Sequence, residues 1–413
     1  MRKSHSSRSR PPNRTRSSSR SGSSSPLRRP NRDTEQAGLV RSIALGIILE
    51  ADATQTPADQ LLKARLRAAR LDSVAAAQVV QSVFSWYRWR GFLEGAEPSG
   101  TSLRRALALA SRFAAQPETF DPVALLEGAL PAWARTSVHA AEGLAHALQA
   151  EPPLWLRARK GQAREILSAL PGSTSSSSPL LPEAVLYLGT EDLFRHRLFS
   201  RGRFEIQDIA SQGVGAACAP APGETWWDAC AGQGGKTLHL ADLMENRGLI
   251  WATDRSENRL ATLRTRAARA GIFNYRTARW LDPQRTPTGT RFDGVLVDAP
   301  CSGLGTWARN PHARWTVGPA DVAELALTQK QLLATAATAV KPGGRLLYAV
   351  CTLTREETLD VAEAFGQAQP DFEPTTFADP FAAPDTRACQ ALWPPQLTGG
   401  NGMFLAAWRR KSR

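Results

Sequence analysis

Residues 297–305 read VDAPCSGLG and residues 346–354 read LLYAVCTLT. Each stretch sets a cysteine, Cys301 or Cys351, at the end of an apolar run, and the first also carries a carboxylate, Asp298. Two thiols and a carboxylate at the ends of two core strands suit chemistry on an electron-poor ring. Carbon 5 of a pyrimidine is a poor nucleophile, but a thiolate added at carbon 6 turns the ring into an enamine able to attack a sulfonium methyl group. That route needs a thiolate to add, a group to bond the ring so that negative charge does not build up, and a base for the carbon 5 proton. Cys351, Asp298 and Cys301 could share these roles between them. A cysteine taken singly is more often a small buried hydrophobe; it is the pairing at two strand ends that favours the chemical reading.

The elements that must position these groups are legible as an alternation. TWWDAC, GLIWATD, FDGVLVDAP and GRLLYAVC read as strands, separated by helices in GGKTLHLADLME, SENRLATLRTRAARAG and ADVAELALTQKQLLATAATAV. Near-continuous apolar strands alternating with helices call for a parallel sheet covered on both faces, a doubly wound Rossmann-like α/β domain over 205–413. Ligands of such sheets lie beyond the carboxyl ends of the strands, where strand order reverses. Asp228, Asp254, Asp282, Asp298 and Cys351 should therefore crowd one rim. DACAGQGGKT is a glycine-rich strand-to-helix turn, neither a Walker motif nor a regular GxGxxG. Asp254 follows Gly232 by 22 residues, the spacing at which a carboxylate meets a ribose. Nicotinamide cofactors and S-adenosylmethionine share this geometry, but hydride transfer has no use for two thiols beside a carboxylate. Amino-group methyltransferases end the fourth strand on [ND]PP[FY], where this chain has DAPC, which favours carbon methylation.

At these residues the chain resembles the RsmB/Nop2/Sun family of RNA cytosine-5 methyltransferases. CAGQGGKT is similar to the family's cofactor motif, DAPCSGLGTWARNP to its fourth motif and YAVCTLTREE to its sixth; FEIQDIASQ and LWPPQLTGGNGMFLAAWRRK also resemble family segments. The resemblance implies that Cys351 forms the covalent cytosine adduct, Cys301 helps release the product, Asp298 bonds the cytosine edge and Lys236 lies near the reacting groups. It further implies that S-adenosylmethionine is held by Cys230, Ala231, Gly232, Gln233, Gly234, Gly235 and Lys236, with Asp254, Arg259, Asp282 and Asp298. Arg309, Pro311 and Trp315 match the pattern after the fourth motif, where they would support the active-site loop and RNA. The chain departs from the family in having Gly232-Gln233 where Ala-Pro is usual, and Glu356-Glu357-Thr358 where the sixth motif usually ends in Glu-Asn. Neither change removes a reactive group.

Upstream, residues 37–150 are alanine- and leucine-rich with helical spacing, as in Ile43, Ile47 and Ile48, or Val79, Val80, Val83, Phe84 and Tyr87. This all-α region resembles the NusB-like domain that bacterial RsmB carries, which implies RNA binding and small-subunit ribosomal RNA as the partner. Residues 151–204 mix strand candidates LWLRAR and AVLYLG with a helix, QAREILSAL, around a polar STSSSSP loop, and read as a small α/β linker subdomain. Residues 1–36 read as a disordered basic tail. Residues 1–32 hold ten Lys or Arg and no Asp or Glu, which leaves 41 basic against 38 acidic side chains elsewhere and so accounts for most of the net charge of +13. Such an arm is compatible with a polyanionic partner.

The five cysteines include no CxxC pair and no neighbouring histidine cluster, against a disulfide framework and against a metal site. Apolar runs fall short of the roughly eighteen residues a membrane helix needs, so a cytoplasmic protein without a membrane partner is expected, acting as a monomer. His239 reads as a packing residue, and Trp226 and Trp227 as core and sheet edge. A non-catalytic RNA-binding or ribosome-assembly protein that keeps the fold is the rival reading; the intact set of Cys301, Cys351, Asp298 and Lys236 speaks against it.

Overall fold

The computed structural model describes residues 32–138, 143–383 and 385–412. The basic segment 1–31, read from sequence as tail, lies outside them. Residues 32–36, assigned to the same tail, are instead the first turn and more of a helix, α1 (Arg32–Thr54).

Among the described residues the N-terminal unit continues with α2 (Ala58–Ala69), α3 (Ser73–Trp89), α4 (Gly100–Ala115), α5 (Pro122–Ala129), α6 (Ala132–Ser137) and α7 (Leu144–Gln149). The starts of α3, α4 and α5 are set by side chains that accept from free backbone N–H groups: Asp72 from Ala75, Ser99 from Ser102 and Asp121 from Ala124. Ile47, Ile48, Val79, Val83, Trp86, Tyr87 and Trp89 close one core. Ile43, Val80 and Phe84 pack partly against it.

A four-stranded antiparallel sheet comes next, built from β1 (Leu154–Ala158), β2 (Ser173–Ser175), β3 (Ala184–Tyr187) and β4 (Phe204–Ile206) in the order β2-β3-β1-β4, with helices α8 (Ala163–Ala169) and α9 (Arg197–Ser200). The STSSSSP stretch, expected as a loop, gives up three residues to β2, because β3 offers it an unpaired edge. Nearly buried ion pairs bolt this sheet to the C-terminal α/β unit: Arg157 and Arg159 share Asp242, and Arg266 and Arg269 share Glu205. Removing one member of such a set strands its partner's charge in the interior.

The remaining chain holds α10 (Ile209–Cys218), β5 (Thr225–Asp228), α11 (Gly235–Leu243), β6 (Leu249–Asp254), α12 (Glu257–Arg269), β7 (Tyr275–Arg279) and β8 (Phe292–Asp298). It continues through α13 (Pro319–Thr338), β9 (Val340–Val350), α14 (Leu359–Ala368), β10 (Phe372–Pro374), β11 (Phe377–Ala378), β12 (Arg387–Ala388), β13 (Gln390–Trp393), α15 (Pro395–Thr398) and β14 (Met403–Arg410). The main sheet runs β10-β14-β9-β8-β5-β6-β7, with β13 also on β14. Strands β5 to β9 are mutually parallel, while β14 is antiparallel to β9 and β10. Strand order reverses at β5 and β8, the crevice where an open parallel sheet takes its ligand. Trp226 and Trp227 are adjacent and both fully buried, one in the core on each face. They mark the middle of the sheet rather than its edge, since only a strand covered on both sides buries successive side chains.

Candidate active site

Parallel strands bring their carboxyl ends to one rim, and three of them end there in aspartate: Asp228, Asp254 and Asp298. Strands β8 and β9 are neighbours with Asp298 paired to Ala349, so the residues just beyond each strand meet. Cys301 Sγ lies 3.3 Å from Cys351 Sγ. From the start of α11, Lys236 Nζ donates to Asp298 Oδ2 at 2.8 Å. The four residues proposed for catalysis on sequence grounds are thus gathered by three consecutive steps of the sheet.

The two thiols are not equivalent. Cys351 is held below its ordinary range chiefly by the hydrogen bond from Cys301, with the Lys236 ammonium adding to this and burial and Asp298 opposing it. Cys301 is pushed well above, first by its bond to Cys351, then by burial, and further by the charges of Cys351 and Glu357. The bond between the two thiols, with the Lys236 cation behind Cys351 and the Glu357 carboxylate behind Cys301, therefore favours the thiolate form on Cys351 and the thiol form on Cys301. Burial alone would lower Lys236, but the charge and hydrogen bond of Asp298, with Cys351 and Asp228 behind, raise it overall.

The loops are held tightly. Gly305 N donates to Cys351 O at 3.0 Å, and Gly402 N to Gly305 O at 2.8 Å. A Cβ on Gly305 would meet Gly402 O at 2.2 Å, so only glycine allows this stacking of three main-chain segments. Beneath both cysteine loops lies Glu357, fully buried, which accepts from Ser302 N at 2.8 Å, Gln329 Nε2 at 3.0 Å, Thr354 Oγ1 at 2.8 Å and Thr352 Oγ1 at 3.1 Å.

The residues after Cys301 reach the helical unit. Arg314, with no exposed surface, donates to Gln149 Oε1 at 2.8 Å and Leu148 O at 2.9 Å, and Trp315 Nε1 donates to Tyr87 O at 2.6 Å. Arg88 returns a bond to Ala308 O at 2.9 Å. Arg309 bonds Pro153 O at 2.6 Å, Asp208 at 3.0 Å and Asn401 at 3.1 Å. Arg309, Pro311 and Trp315 therefore serve as mortar between units, with Pro311 buried and the donors of the other two already engaged by protein. Arg88 and Arg314 carry no role in the sequence reading, although each is a charge flanked by aromatic or apolar residues, and Glu357 enters it only as part of the departure in the sixth motif.

The glycine turn is pinned at each step despite its Gly232-Gln233 departure. Ala231 N donates to Thr253 O at 2.8 Å, Gly232 N to Asp254 Oδ2 at 3.0 Å, and Arg266 to Gln233 O at 2.9 Å. Gly232 and Gly234 have φ of +54° and +86°, which glycine adopts freely. A Cβ on Gly232 would find nothing within 4 Å, so the turn faces open space, whereas one on Gly234 would lie 2.5 Å from Leu263. Asp228 Oδ2 accepts from Thr237 at 2.6 Å, while its buried Oδ1 has no partner among the described residues. An open glycine turn, an orphaned carboxylate oxygen and Asp254 at the next strand end fit an adenosyl ligand. Cys230 is half-buried and packs against the core, its thiol pushed up by burial. Arg259 is exposed on the first turn of α12, and Asp282 is exposed past β7, its carboxylate turned to Gln284 N at 2.9 Å. His239 is buried against α10, where a Cβ on Gly215 would touch its ring. Among the described residues no group of three or more His, Cys, Asp and Glu is arranged for a metal, and no helix is long and apolar enough to cross a membrane.

Comparisons with known proteins bear on this same stretch of the chain. Residues 216–409, which carry every group at the rim, match the family model for the 16S rRNA methyltransferase RsmB/F. Residues 216–409 are those of an RsmB/Nop2/Sun family methyltransferase domain. Members of this family are S-adenosylmethionine-dependent methyltransferases. One RsmB relative, a probable ribosomal RNA small subunit methyltransferase B of Bacillus subtilis, is 34% identical over 274 residues, 64% of this chain and 61% of its own. The match thus spans less than two thirds of that RsmB relative. The crystal structure of a methyltransferase homolog from Pyrococcus horikoshii is 28% identical with a TM-score of 0.56, covering 65% of this chain and 90% of its own. A second solved chain, PH0851, shares the fold over 90% of this chain and 98% of its own, at 22% identity and a TM-score of 0.73.

Proposed function

We propose that this protein transfers a methyl group to carbon 5 of a cytosine in RNA, small-subunit ribosomal RNA being the substrate class, through a covalent adduct on Cys351. The observation that carries the reading is the 3.3 Å contact of two thiols polarised between the Lys236–Asp298 pair and the Glu357 carboxylate.

S-Adenosylmethionine, when bound at residues 230–236 with Asp254 and Arg259, supplies an electrophilic methyl group. The chain's own groups do the rest. Cys351 thiolate adds to carbon 6, and the carbon 5–carbon 6 electron pair becomes available at carbon 5 for methylation. Asp298 accepts from the amino edge of cytosine, and Lys236, 2.8 Å away, balances the negative charge that moves into the ring. Loss of the carbon 5 proton to water or a neighbouring base restores the double bond and sends the carbon 6–sulfur pair back to Cys351. Cys301, still a thiol, then donates to the departing thiolate and so eases release. The helical unit and the basic N-terminal segment are read as the parts that recruit RNA, in keeping with the names of the relatives.

Denaturing gels of enzyme with cytosine-containing RNA test this. Cys301→Ala should accumulate a shifted protein–RNA adduct, and Cys301→Ala with Cys351→Ala should not. A double variant that still trapped RNA would refute the assignment. Bisulfite sequencing of ribosomal RNA from cells with and without the gene would then give substrate and position.

A further inference from the structure

Glu357 is a buried acid with no ion-pair partner among the described residues. Its charge is met by hydrogen bonds alone, from Ser302 N and Oγ, Thr352 Oγ1, Thr354 Oγ1 and Gln329 Nε2. Ser302 comes directly after Cys301, and Thr352 directly after Cys351. One carboxylate thus holds the residue next to each reactive thiol, and the ring closes through the 3.3 Å sulfur–sulfur contact. Tyr348, on β9, steadies the glutamate's own backbone by donating to Glu357 O at 2.6 Å and also bonds Gln329 Oε1 at 3.0 Å. A carboxylate offers about four lone-pair sites and donates nothing when ionised, so it can bind donors from several segments at once. Charge-assisted bonds of this kind are roughly twice as strong as neutral ones. An amide in the same place would turn two N–H donors toward groups that are themselves donors.

We infer that Glu357 is a positioning residue whose carboxylate staples the Cys301 loop to the Cys351 loop and thereby sets the distance between the two sulfurs. The inference rests on the proposed thiol chemistry only for its effect on turnover; the staple itself concerns the free protein. Without it the loops separate, Cys351 loses the donor that most favours its thiolate, and the departing sulfur loses the same donor after methylation. Substrate contacts are untouched, so the staple acts on the chemical steps rather than on RNA affinity.

Mild oxidation of the full-length protein with diamide, without RNA or cofactor, reads the distance directly. Two thiols give up two protons and two electrons to the diazene and become a disulfide, and peptide mapping separates the Cys301–Cys351 product from those of Cys218, Cys230 and Cys389. The unaltered protein should form this bond rapidly. Glu357→Gln should slow it by at least about tenfold, and in turnover should lower kcat by a similar factor with KM for RNA unchanged, since a misplacement near 1 Å has effects of this size. Ser302→Ala combined with Thr352→Val removes two donors but leaves the glutamate bonded to Ser302 N, Gln329 and Thr354; it should shift the rate in the same direction and serves if Glu357→Gln does not fold. Wild-type disulfide rates in both folded variants, or in the double variant alone, would overturn the inference. An enzyme that never methylated RNA but showed the slowed oxidation would overturn the functional reading and leave the staple standing.

Discussion

Lys236 Nζ and Asp298 Oδ2 form a 2.8 Å ion pair that is largely shielded from water, and it spans the crevice between β5 and β8. Lys236 begins the helix that follows the glycine turn and Asp298 ends the strand that leads into the Cys301 loop, so one contact ties the glycine-turn end of the rim to its thiol end.

Replacing Lys236 with Met should leave the Asp298 charge beside Cys351 without its counter-ion. Lys236 acts to lower the Cys351 pKa and Asp298 to raise it, so the variant's thiolate should form at higher pH. Iodoacetamide labelling of Cys351 against pH should move its midpoint upward, and methyl transfer should fall by about 10²–10³, the usual loss on removing one preorganised charge donor. An unmoved labelling midpoint would separate Lys236 from the thiolate.

Asp228 gives a pH dependence of stability whose sign can be worked out. Burial pushes its pKa from 3.8 up to about 7, partly offset by the bond from Thr237. A raised acid binds more protons folded than unfolded, so it contributes stability at low pH that is lost as pH rises through about 7. The loss runs at up to about 1.4 kcal/mol per pH unit. Asp228→Asn cannot ionise, so its Tm relative to wild type should rise between about pH 4 and 7, the window in which the unfolded carboxyl has lost its proton and the native one still holds it, and should level off above that. A constant Tm difference across that window would contradict the shift.

The two glycines with positive φ should behave differently. At Gly232 an alanine meets no atom but must hold φ +54°, which costs about 1 kcal/mol. At Gly234 it would also strike Leu263. Calorimetric titration with S-adenosylmethionine should show weaker binding in Gly232→Ala at nearly normal Tm, whereas Gly234→Ala should lower Tm outright. Equal Tm losses in the two variants would show that the turn does not face a ligand.

Arg314→Met should destabilise by about 3 kcal/mol, since buried carbonyls lose their donor without any carboxylate being released from a pair. Arg314 is desolvated enough to be pushed down to about 9, still charged at neutral pH. Lysine cannot reproduce the forked contacts to Leu148 O and Gln149 Oε1, so Arg314→Lys should fall in the same range. Thermal unfolding measures both, and a Tm within a degree of wild type for either would place the loop's anchorage elsewhere.

Residues whose meaning lies in a local pattern were legible from sequence. The doubly wound sheet was readable from unbroken apolar strands such as that of Trp226 and Trp227, and Cys301, Cys351, Asp298 and Lys236 stood out because each ends a strand or begins a helix. The roles of Glu357, Arg314 and Arg88 were not legible, because each depends on groups far away in the chain; Glu357 and Ser302 are separated by 55 residues and Arg314 and Arg88 by 226. Trp315 is expected from sequence to support the active-site loop and RNA, but its indole partner in α3 is 228 residues away and so could not be named. The start of α1 at Arg32 was hidden by a composition shared with the polar segment before it.

Two small contacts reach further than their size suggests. Thr354 bridges to Val138, and Arg355 N donates to Ser137 O at 3.0 Å, so the segment just past Cys351 is knitted to the end of α6. Together with the burial of Arg314 among the helices, this means that severing the chain near residue 150 would not release a working catalyst and a spare tether. Each fragment would display a raw face where the other had been, and the scissors-cut catalytic piece would have slack in the very turns that carry its sulfurs.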